Sequence, residues 1–382
     1  MKITQTIKLL LLTILLVACK DKTEQQPSFE SNETVESKNI EIKYAKGFEI
    51  TPINKGYHLT ITKPWPDAKK SYTYTLLNDT DASIIDSGEQ IHIPVNRLIA
   101  TSTTHIPPLV LLEEASSLIG FPSTNYISSP EIRTLIDQGK ITDLGIDNNM
   151  DVESILLTNP DLIMGYGVTE ENMVYQKVQQ AGIPVLYNGD WTESHPLGKA
   201  EWIKVYGVLF DKVDAANAIF IKIEKEYLAA QKLASNRDKP KVLAGASWKD
   251  TWYLPYGDSW QGKILKDAGA DYIYAQSTGS GSLAYNIEKV LTDAQDADYW
   301  IAPAQYTSYS KMSEDQAAYE QFKAFVNKQV YTFALNKGIE GGVIYYEEAS
   351  MRPDLVLKDL IKILHPELKL DHELYFFDHL ED

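Results

Sequence analysis

Residues 211–235 read DKVDAANAIFIKIEKEYLAAQKLAS, and this stretch decides the fold. Its apolar side chains recur at steps of three and four residues, with neither Gly nor Pro between them: Val213, Ala216, Phe220, Ile223, Tyr227 and Ala230. This period predicts one continuous amphipathic helix, which at 1.5 Å per residue is a rod of about 37 Å. A single rod between two globular halves is stiffer than a hinge of two or three strands. We therefore expect the halves to rock only slightly against each other.

On both sides of this helix, short apolar runs alternate with helix-length amphipathic segments, a pattern typical of α/β proteins. Before it, the sequence predicts a helix at 109–119 closed by Gly120 and strands at 97–101, 161–164 and 184–187. After it, a strand at 241–245 and a helix at 262–267 start the same scheme again. We therefore predict an α/β fold of two three-layer lobes bridged by one long helix.

A faint internal repeat supports this division into two lobes. The segment DVESIL at 151–156 leads to NPDLI at 159–163, and NIEKVL at 286–291 leads to DADYWI at 296–301. Each is a short helix that feeds a buried strand, with one Glu (Glu153 or Glu288) at the same offset. Two similar α/β lobes are the simplest interpretation.

The predicted segments divide the chain as follows. A β-rich extension precedes the lobes, because alternating polar and apolar residues occur at 57–62 and 72–76, separated by Asp- and Gly-bearing turns. The complete division is a signal peptide at 1–18, a tether at 19–39, the extension at 40–95, an N-terminal lobe at 96–210, the interlobe helix at 211–236 and a C-terminal lobe with terminal helices at 237–382.

The first residues predict export and lipid anchoring. Lys2 and Lys8 precede the apolar run 9–17, which is too short to span a bilayer and is followed by Ala18 and Cys19. This is the pattern of a bacterial lipoprotein signal, so we predict that Cys19 is lipidated and that the chain is held at a membrane. The polar residues that follow, up to Lys38, predict a flexible tether.

Composition narrows the class of partner. Cys19 is the only cysteine, so the exported domain has no internal disulfide. Removing residues 1–18 takes away Lys2 and Lys8 and no acid, which moves the net charge from −17 by two, to −19. A chain this acidic, without a basic stripe, is not expected to bind nucleic acid.

The candidate ligand site comes from the loops that follow predicted strands. In α/β sheets, ligands bind beyond the carboxyl ends of the strands, and pockets are commonest between domains. Aromatic side chains concentrate in these loops, where their flat faces suit a large conjugated ligand. The predicted ligand-binding residues are Thr104, His105, Tyr166, Trp191, Trp248, Trp252, Tyr253, Tyr256, Tyr306 and Tyr309.

The order and spacing of several segments resemble a known family. These segments are 97–104, 150–162, 196–203, 252–270 and 352–368, and they resemble the class III periplasmic binding proteins that serve importers of iron–siderophores, haem and vitamin B12. In that family two α/β lobes are bridged by one long helix. The resemblance implies a ligand that is a metal chelate or a corrinoid, and neither catalytic residues nor a cofactor. The extension before Asn96 has no counterpart in the compact members, and its role is open.

The resemblance also implies the partners and the location. Family members dock on an ABC permease dimer with its ATPase through one Glu on each lobe, and the matching positions here are Glu153 and Glu288. Paired carboxylate–guanidinium contacts are directional and suit this task. The expected location is the cell envelope, on the periplasmic side of a membrane.

Three other interpretations stay open at the level of sequence. One is an exported hydrolase that uses paired carboxylates among Asp250, Asp258 and Glu347-Glu348. Another is a lipoprotein that holds a free divalent metal, which requires several His and carboxylate groups to converge. The third is a capture lipoprotein that works without a permease.

Overall fold

The structure is a computed structural model, and it describes residues 38–78, 88–146, 149–167, 172–279 and 281–382. The predicted signal peptide, Cys19 and all of the predicted tether except its last two residues lie outside these ranges. Within them, no helix is both long enough and apolar enough to cross a membrane.

The extension forms a four-stranded sheet. Its strands are β1 Phe48–Ile53, β2 Gly56–Ile61, β3 Tyr72–Leu77 and β4 Glu89–His92. The first three are antiparallel neighbours, and β4 lies parallel to β3. Side chains alternate between the two faces of a strand, so the register places Ile50, Leu59 and Tyr74 in one buried row. This row packs into the same core as the N-terminal lobe.

Two buried carboxylates fasten the segment before β1 to the N-terminal lobe. Glu201 accepts backbone N–H bonds from Lys43, Tyr44 and Ala45 at 2.9, 2.7 and 2.9 Å. Glu193 accepts a backbone N–H bond from Gly47 at 2.8 Å. Charge-assisted bonds of this kind are about twice as strong as neutral ones, so the extension is an integral part of the lobe.

The N-terminal lobe is built on a five-stranded parallel sheet in the order β11-β10-β5-β6-β7. β8 and β9 form a separate two-stranded antiparallel sheet. The strands are β5 Leu98–Ala100, β6 Leu118–Phe121, β7 Thr142–Asp143, β8 Gly145–Ile146, β9 Asn149–Met150, β10 Leu162–Gly165 and β11 Val185–Tyr187. The helices are α1 Ile106–Leu111, α2 Pro130–Asp137, α3 Val152–Thr158, α4 Met173–Gln180, α5 Pro196–Glu201 and α6 Ile203–Leu209, with 3-10 turns at Thr103–His105, Ala115–Ser117, Thr124–Tyr126 and Asp190–Thr192.

The predicted helix at 109–119 is wrong. Helix α1 ends at Leu111, and Glu113 has a φ of 59°, a left-handed conformation that breaks a helix. Residues 118–121 instead form β6, which pairs in parallel with β5. The segment has a helical pattern, but tertiary pairing overrides local propensity. The loop that follows β6 is therefore not among the ligand-binding loops that the sequence predicts.

The predicted long helix is present as α7 Val213–Ala234, which has 22 residues. Its buried residues include all six of the apolar positions that the period selected. The helix packs on α6 of the N-terminal lobe and, along its other half, on the last long helix of the C-terminal lobe. Tyr227 also donates a hydrogen bond to Asp267 at 2.6 Å. The helix is therefore tied to both lobes.

The C-terminal lobe has a five-stranded sheet in the order β15-β12-β17-β18-β19, parallel except for β19, and a three-stranded antiparallel sheet in the order β13-β14-β16. The strands are β12 Lys241–Ala244, β13 Ala246–Trp248, β14 Thr251–Pro255, β15 Asp271–Tyr272, β16 Ser282–Tyr285, β17 Tyr299–Ile301, β18 Val330–Thr332 and β19 Asp378–His379. The helices are α8 Trp260–Asp267, α9 Ile287–Ala294, α10 Tyr309–Asp315, α11 Lys323–Val326, α12 Ile344–Glu348 and α13 Pro353–Leu364, with 3-10 turns at Ala317–Gln321 and Pro366–Leu368.

Candidate functional site

A cavity of about 470 Å³ lies between the lobes, at the carboxyl ends of β5 and β6. The N-terminal lobe contributes residues 101–103 after β5, the end of β6 at Phe121 and the two residues after it, together with Tyr126 and Ile146. The C-terminal lobe contributes Gly342, Val343 and Tyr346, from the start of α12. This is the edge of a parallel sheet at which α/β proteins bind ligands.

A second cavity, of about 260 Å³, adjoins the first and lies within the C-terminal lobe. It is formed where β12, β17 and β18 end, and Tyr346 lines both cavities. Its aromatic lining residues come from the β13–β14 hairpin, from the residue after β18, from α12 and from the residue before β19: Trp248, Tyr253, Phe333, Tyr345, Tyr346 and Phe377. We call the two adjoining cavities the cleft.

The floor of the cleft is a stack of aromatic rings. Phe333 and Tyr345 lie face to face, with ring centroids 4.5 Å apart and planes 8° apart. Trp260 extends the stack behind Tyr345 at 6.2 Å. The hydroxyl of Tyr346 accepts a hydrogen bond from the Gln305 amide at 2.9 Å, which fixes the ring at the mouth. These contacts hold flat apolar faces in place before any ligand arrives.

Several large apolar or aromatic side chains around the cleft are exposed to solvent. The exposed fraction is 65% for Trp248, 61% for Tyr126, 48% for Tyr346 and 44% for Tyr253. Ile146, at the tip of the β8–β9 hairpin, is 71% exposed. Apolar groups grouped around one concave surface mark a binding site.

The structure brings some of the predicted site residues into the cleft and leaves others outside its lining. Trp248 and Tyr253 line it. Thr104 is bonded to Ser102, a lining residue, with the two hydroxyl oxygens 3.0 Å apart. Tyr166 and Trp191 lie together at the ends of β10 and β11, with ring centroids 5.7 Å apart, but line neither cavity.

Tyr256 and Tyr306 also line neither cavity. Both are partly buried against the core of the C-terminal lobe. Tyr306 meets Tyr319 edge to face, with ring centroids 6.0 Å apart. These two rings therefore support the lobe beside the cleft.

Three predicted ligand residues are buried in the cores, which corrects their assignment. Trp252 is fully buried, and its ring stacks on that of Trp300 with centroids 5.1 Å apart. The segment predicted as a loop is the β13–β14 hairpin, and side chains alternate along its strands, so Trp252 points into the core while Tyr253 is exposed. Tyr309 is buried at the start of α10, where its hydroxyl accepts the Val330 N–H at 3.2 Å. His105 is fully buried, and burial lowers its pKa to about 4, so it is neutral at neutral pH.

The sequence missed Tyr126, Phe333, Tyr345 and Tyr346. Tyr126 follows β6, the strand that was interpreted as helix. Phe333 directly follows β18, and Tyr345 and Tyr346 belong to α12; all three lie among apolar residues that are typical of a core. The turn at Gly341-Gly342 before Tyr345-Tyr346 was the available signal, because paired glycines permit a close approach of backbones. Gly342 lies so close to Tyr126 that an added Cβ would come within 2.2 Å of its carbonyl oxygen.

The carboxylates of the hydrolase hypothesis do not reach the cleft. In the described ranges, neither cavity is lined by an Asp or Glu. Glu347 is buried between the lobes, and Asp258 accepts a hydrogen bond from the Gly279 backbone at 3.2 Å. The same part of the chain has no group of three or more His, Cys, Asp or Glu side chains that could hold a metal ion.

Glu347 ties the two lobes together. Its carboxylate accepts backbone N–H bonds from Ser128 at 2.5 Å and Ser129 at 3.0 Å, just before α2. Ser128 also donates a hydrogen bond to the Gly342 carbonyl at 2.9 Å. Burial raises the pKa of Glu347 to about 7, despite the two N–H bonds that favour the charged form.

Stability is expected to fall as the pH rises from about 4.5 to about 7, because the folded state binds the Glu347 proton more tightly than the unfolded chain does. The contribution is fully present below the unfolded pKa and is lost as pH passes through the folded value. Glu347→Gln, which does not titrate, should remove up to about 3 kcal/mol of this pH dependence. Urea unfolding at several pH values measures it. The neighbouring Glu348→Gln should keep most of the wild-type profile, because burial raises the Glu347 pKa more than the Glu348 charge does. An unchanged profile in Glu347→Gln would contradict the assignment.

Glu153 and Glu288 occupy equivalent places in the two lobes. Each is exposed and is the second residue of its helix, α3 or α9. The helices are capped alike, with a side-chain oxygen of Asp151 accepting the Glu153 N–H and that of Asn286 accepting the Lys289 N–H. A helix that leads back into a parallel strand starts near the carboxyl edge of the sheet. We therefore expect both carboxylates to lie toward the side of the molecule that carries the cleft.

Comparison with known proteins gives the same architecture. A family model described as periplasmic binding protein matches residues 98–334. An uncharacterised lipoprotein of Methanocaldococcus jannaschii is 27% identical over 374 residues, which cover 91% of this chain and 87% of that protein.

Two solved structures share the fold at lower identity. One is described as a possible iron-binding periplasmic solute-binding protein of Staphylococcus epidermidis, with a TM-score of 0.56 and 17% identity over 71% of this chain and 99% of that one. The other is a periplasmic haem-binding protein of Pseudomonas aeruginosa, with a TM-score of 0.55 and 17% identity over 75% of this chain and 99% of that one.

Proposed function

Because this chain belongs to the periplasmic binding protein family, we propose that it is the lipid-anchored receptor of an ABC importer. It captures an iron chelate (a siderophore complex or haem) or a cobalamin in the cleft and delivers it to the permease. The observation that carries this proposal is the aromatic cleft between two lobes tied by one long helix.

The shape and chemistry of the cleft support a large ligand with flat or apolar faces. The rings of Tyr126, Trp248, Tyr253 and Tyr346 project from both lobes at its mouth. A ligand in contact with these rings buries apolar surface, and each Å² buried stabilises the complex by roughly 25 cal/mol. The structural relatives are described as binding iron and haem, which agrees with this class of ligand.

Lipid anchoring rests on Cys19 and on the relatives. The cysteine follows a short apolar run after two lysines, as in a lipoprotein signal. The relative from Methanocaldococcus jannaschii is itself described as a lipoprotein. We place the mature domain in the cell envelope, on the outer side of the membrane that contains the permease.

Docking on the permease is assigned to Glu153 and Glu288. Their exposure, their matched positions and their expected place toward the cleft edge support the assignment. A first-turn carboxylate is also favoured by the helix dipole, but the dipole does not require the same position in both lobes. Two carboxylates held on separate lobes would orient the cleft over the pore.

The proposal predicts that titration with the cognate ligand quenches tryptophan emission. Trp248 is 65% exposed at the cleft, so a bound chelate contacts its ring directly. The test is a fluorescence titration of the purified protein with ferric siderophores, haem and cobalamin. Trp248→Phe should lose part of the quenching and bind with an affinity within about tenfold of wild type, because a ring remains. No binding of any of the three ligand classes would overturn the proposed function.

A further inference from the structure

The lining of the cleft carries no formal charge in the ranges that the structure describes. The residues that surround the two cavities include no Lys, Arg, His, Asp or Glu. The polar side-chain groups among them are hydroxyls, one amide and one indole N–H, contributed by Thr101, Ser102, Thr103, Ser123, Tyr126, Trp248, Tyr253, Gln261, Ser282, Tyr345 and Tyr346. The cleft therefore offers neutral hydrogen bonds and aromatic faces.

Three cations near the cleft are paired elsewhere or lie at its rim, and Lys337, which forms a β-bridge with Val343, is exposed and does not line either cavity. Lys199 lies behind the aromatic stack, 5.4 Å from the Trp260 ring centroid, and donates to the Asp190 carbonyl at 3.0 Å. Arg352 is paired with Asp354 at 2.8 Å. Lys249 is exposed at the rim, 4.3 Å from the Trp248 ring centroid on which it rests.

The internal stretches outside the described ranges bring no cation near the cleft. The internal stretches outside the described ranges, 79–87, 147–148, 168–171 and 280, contain neither Lys nor Arg. The chain as a whole carries a net charge of −17. The net charge of the protein therefore repels an approaching anion.

Because the cleft lining carries no positive charge, an anionic ligand would bind there with an unfavourable desolvation free energy. Moving a charged group out of water without a partner of opposite charge costs several kcal/mol. A ligand without net charge avoids this cost and gains the aromatic contacts in full. The cleft therefore favours ligands without net charge.

We propose that the cleft selects electrically neutral, largely apolar metal chelates and rejects anionic ones. A neutral ferric tris-hydroxamate or cyanocobalamin belongs to the accepted class. A ferric tris-catecholate, or haem with its carboxylates, belongs to the rejected class. This inference rests on the proposed function and narrows its ligand.

The test measures the affinity of the purified mature protein for these four probes by calorimetry. The neutral chelates are compared separately, so that a hydroxamate and a corrinoid are distinguished. We expect at least one neutral probe to bind about 100-fold more tightly than either anionic probe. Its affinity should change less than about threefold between low salt and about 0.5 M salt, because no ion pair is screened. Tighter binding of the tris-catecholate or of haem would overturn the inference while leaving the receptor function intact.

A charge-introducing variant separates charge from shape. Thr103 lines the cleft on the N-terminal lobe. Thr103→Lys should raise affinity for the tris-catecholate by about tenfold or more, whereas the control Thr103→Gln should not. Unchanged exclusion of the anion in Thr103→Lys would mean that size or shape excludes it, and would overturn the inference. Failure of every probe to bind any variant would instead reject the proposed function.

Discussion

Replacing Glu153 and Glu288 together by Ala is expected to abolish ligand uptake by cells and to leave ligand affinity unchanged. The two carboxylates are exposed at the same position of α3 and α9, and neither lines the cleft. If each pairs with an arginine pocket on the permease, losing one pair costs about 2–5 kcal/mol of docking free energy. Losing both should reduce delivery by more than about 100-fold.

The measurement is uptake of labelled ligand by cells that carry the variant as their only copy. A matched control is the pair Asp214→Ala and Glu320→Ala, which removes two exposed acids from the first turns of other helices. The control should transport normally. Normal uptake by the Glu153/Glu288 variant would reject the docking assignment, and weaker ligand binding would show that these residues act on the cleft instead.

Replacing Glu201 by Ala is expected to give the largest loss of stability, about 3–5 kcal/mol. Glu201 is fully buried, accepts three backbone N–H bonds from residues 43–45 and pairs with the buried Lys204 at 2.8 Å. Truncation leaves a buried cation without its carboxylate and three donors without an acceptor. The segment before β1 then loses its fastening to the lobe.

Urea unfolding measures the change in free energy, and limited proteolysis reports release of residues 38–47. Glu224→Ala is the control, because Glu224 also binds this segment, through the Tyr44 hydroxyl at 2.7 Å, but from a partly exposed position. It should cost about 1 kcal/mol. A loss below about 1 kcal/mol in Glu201→Ala would contradict the view that the extension belongs to the lobe.

The fold could be predicted from the sequence where the spacing of apolar residues is regular over a long segment. The three- and four-residue period at 211–235 predicted α7 and its buried face, and the family that the segments resembled is confirmed by the match at 98–334. The pattern failed at 109–119, where helical spacing coexists with the left-handed Glu113 and with strand pairing to β5. That pairing depends on residues distant in sequence, which local periodicity does not report.

The binding site was harder to predict from the sequence, because it also depends on contacts between residues distant in the chain. Trp248 and Tyr253, which the sequence predicts as ligand-binding residues, line the cleft in the structure. Trp252, which lies between them in the chain and was also predicted to bind the ligand, is in the core. The difference depends on the register of the β13–β14 hairpin, because a shift of one residue exchanges the two faces of a strand. Tyr126 and Tyr346 line one cavity because the two lobes meet at Gly342 and Ser128. Contacts between lobes leave no periodic trace in the sequence.

The position of the bound metal is the most direct test of the receptor proposal. In crystals of the protein with a bound ferric chelate or a cobalamin, anomalous scattering locates the iron or cobalt without assumptions about the ligand. The account predicts the metal in the cleft, with its ligand against Tyr346 and Trp248. A metal in the polar groove at the amino ends of the C-terminal strands, beside Arg237 and His365, would contradict it.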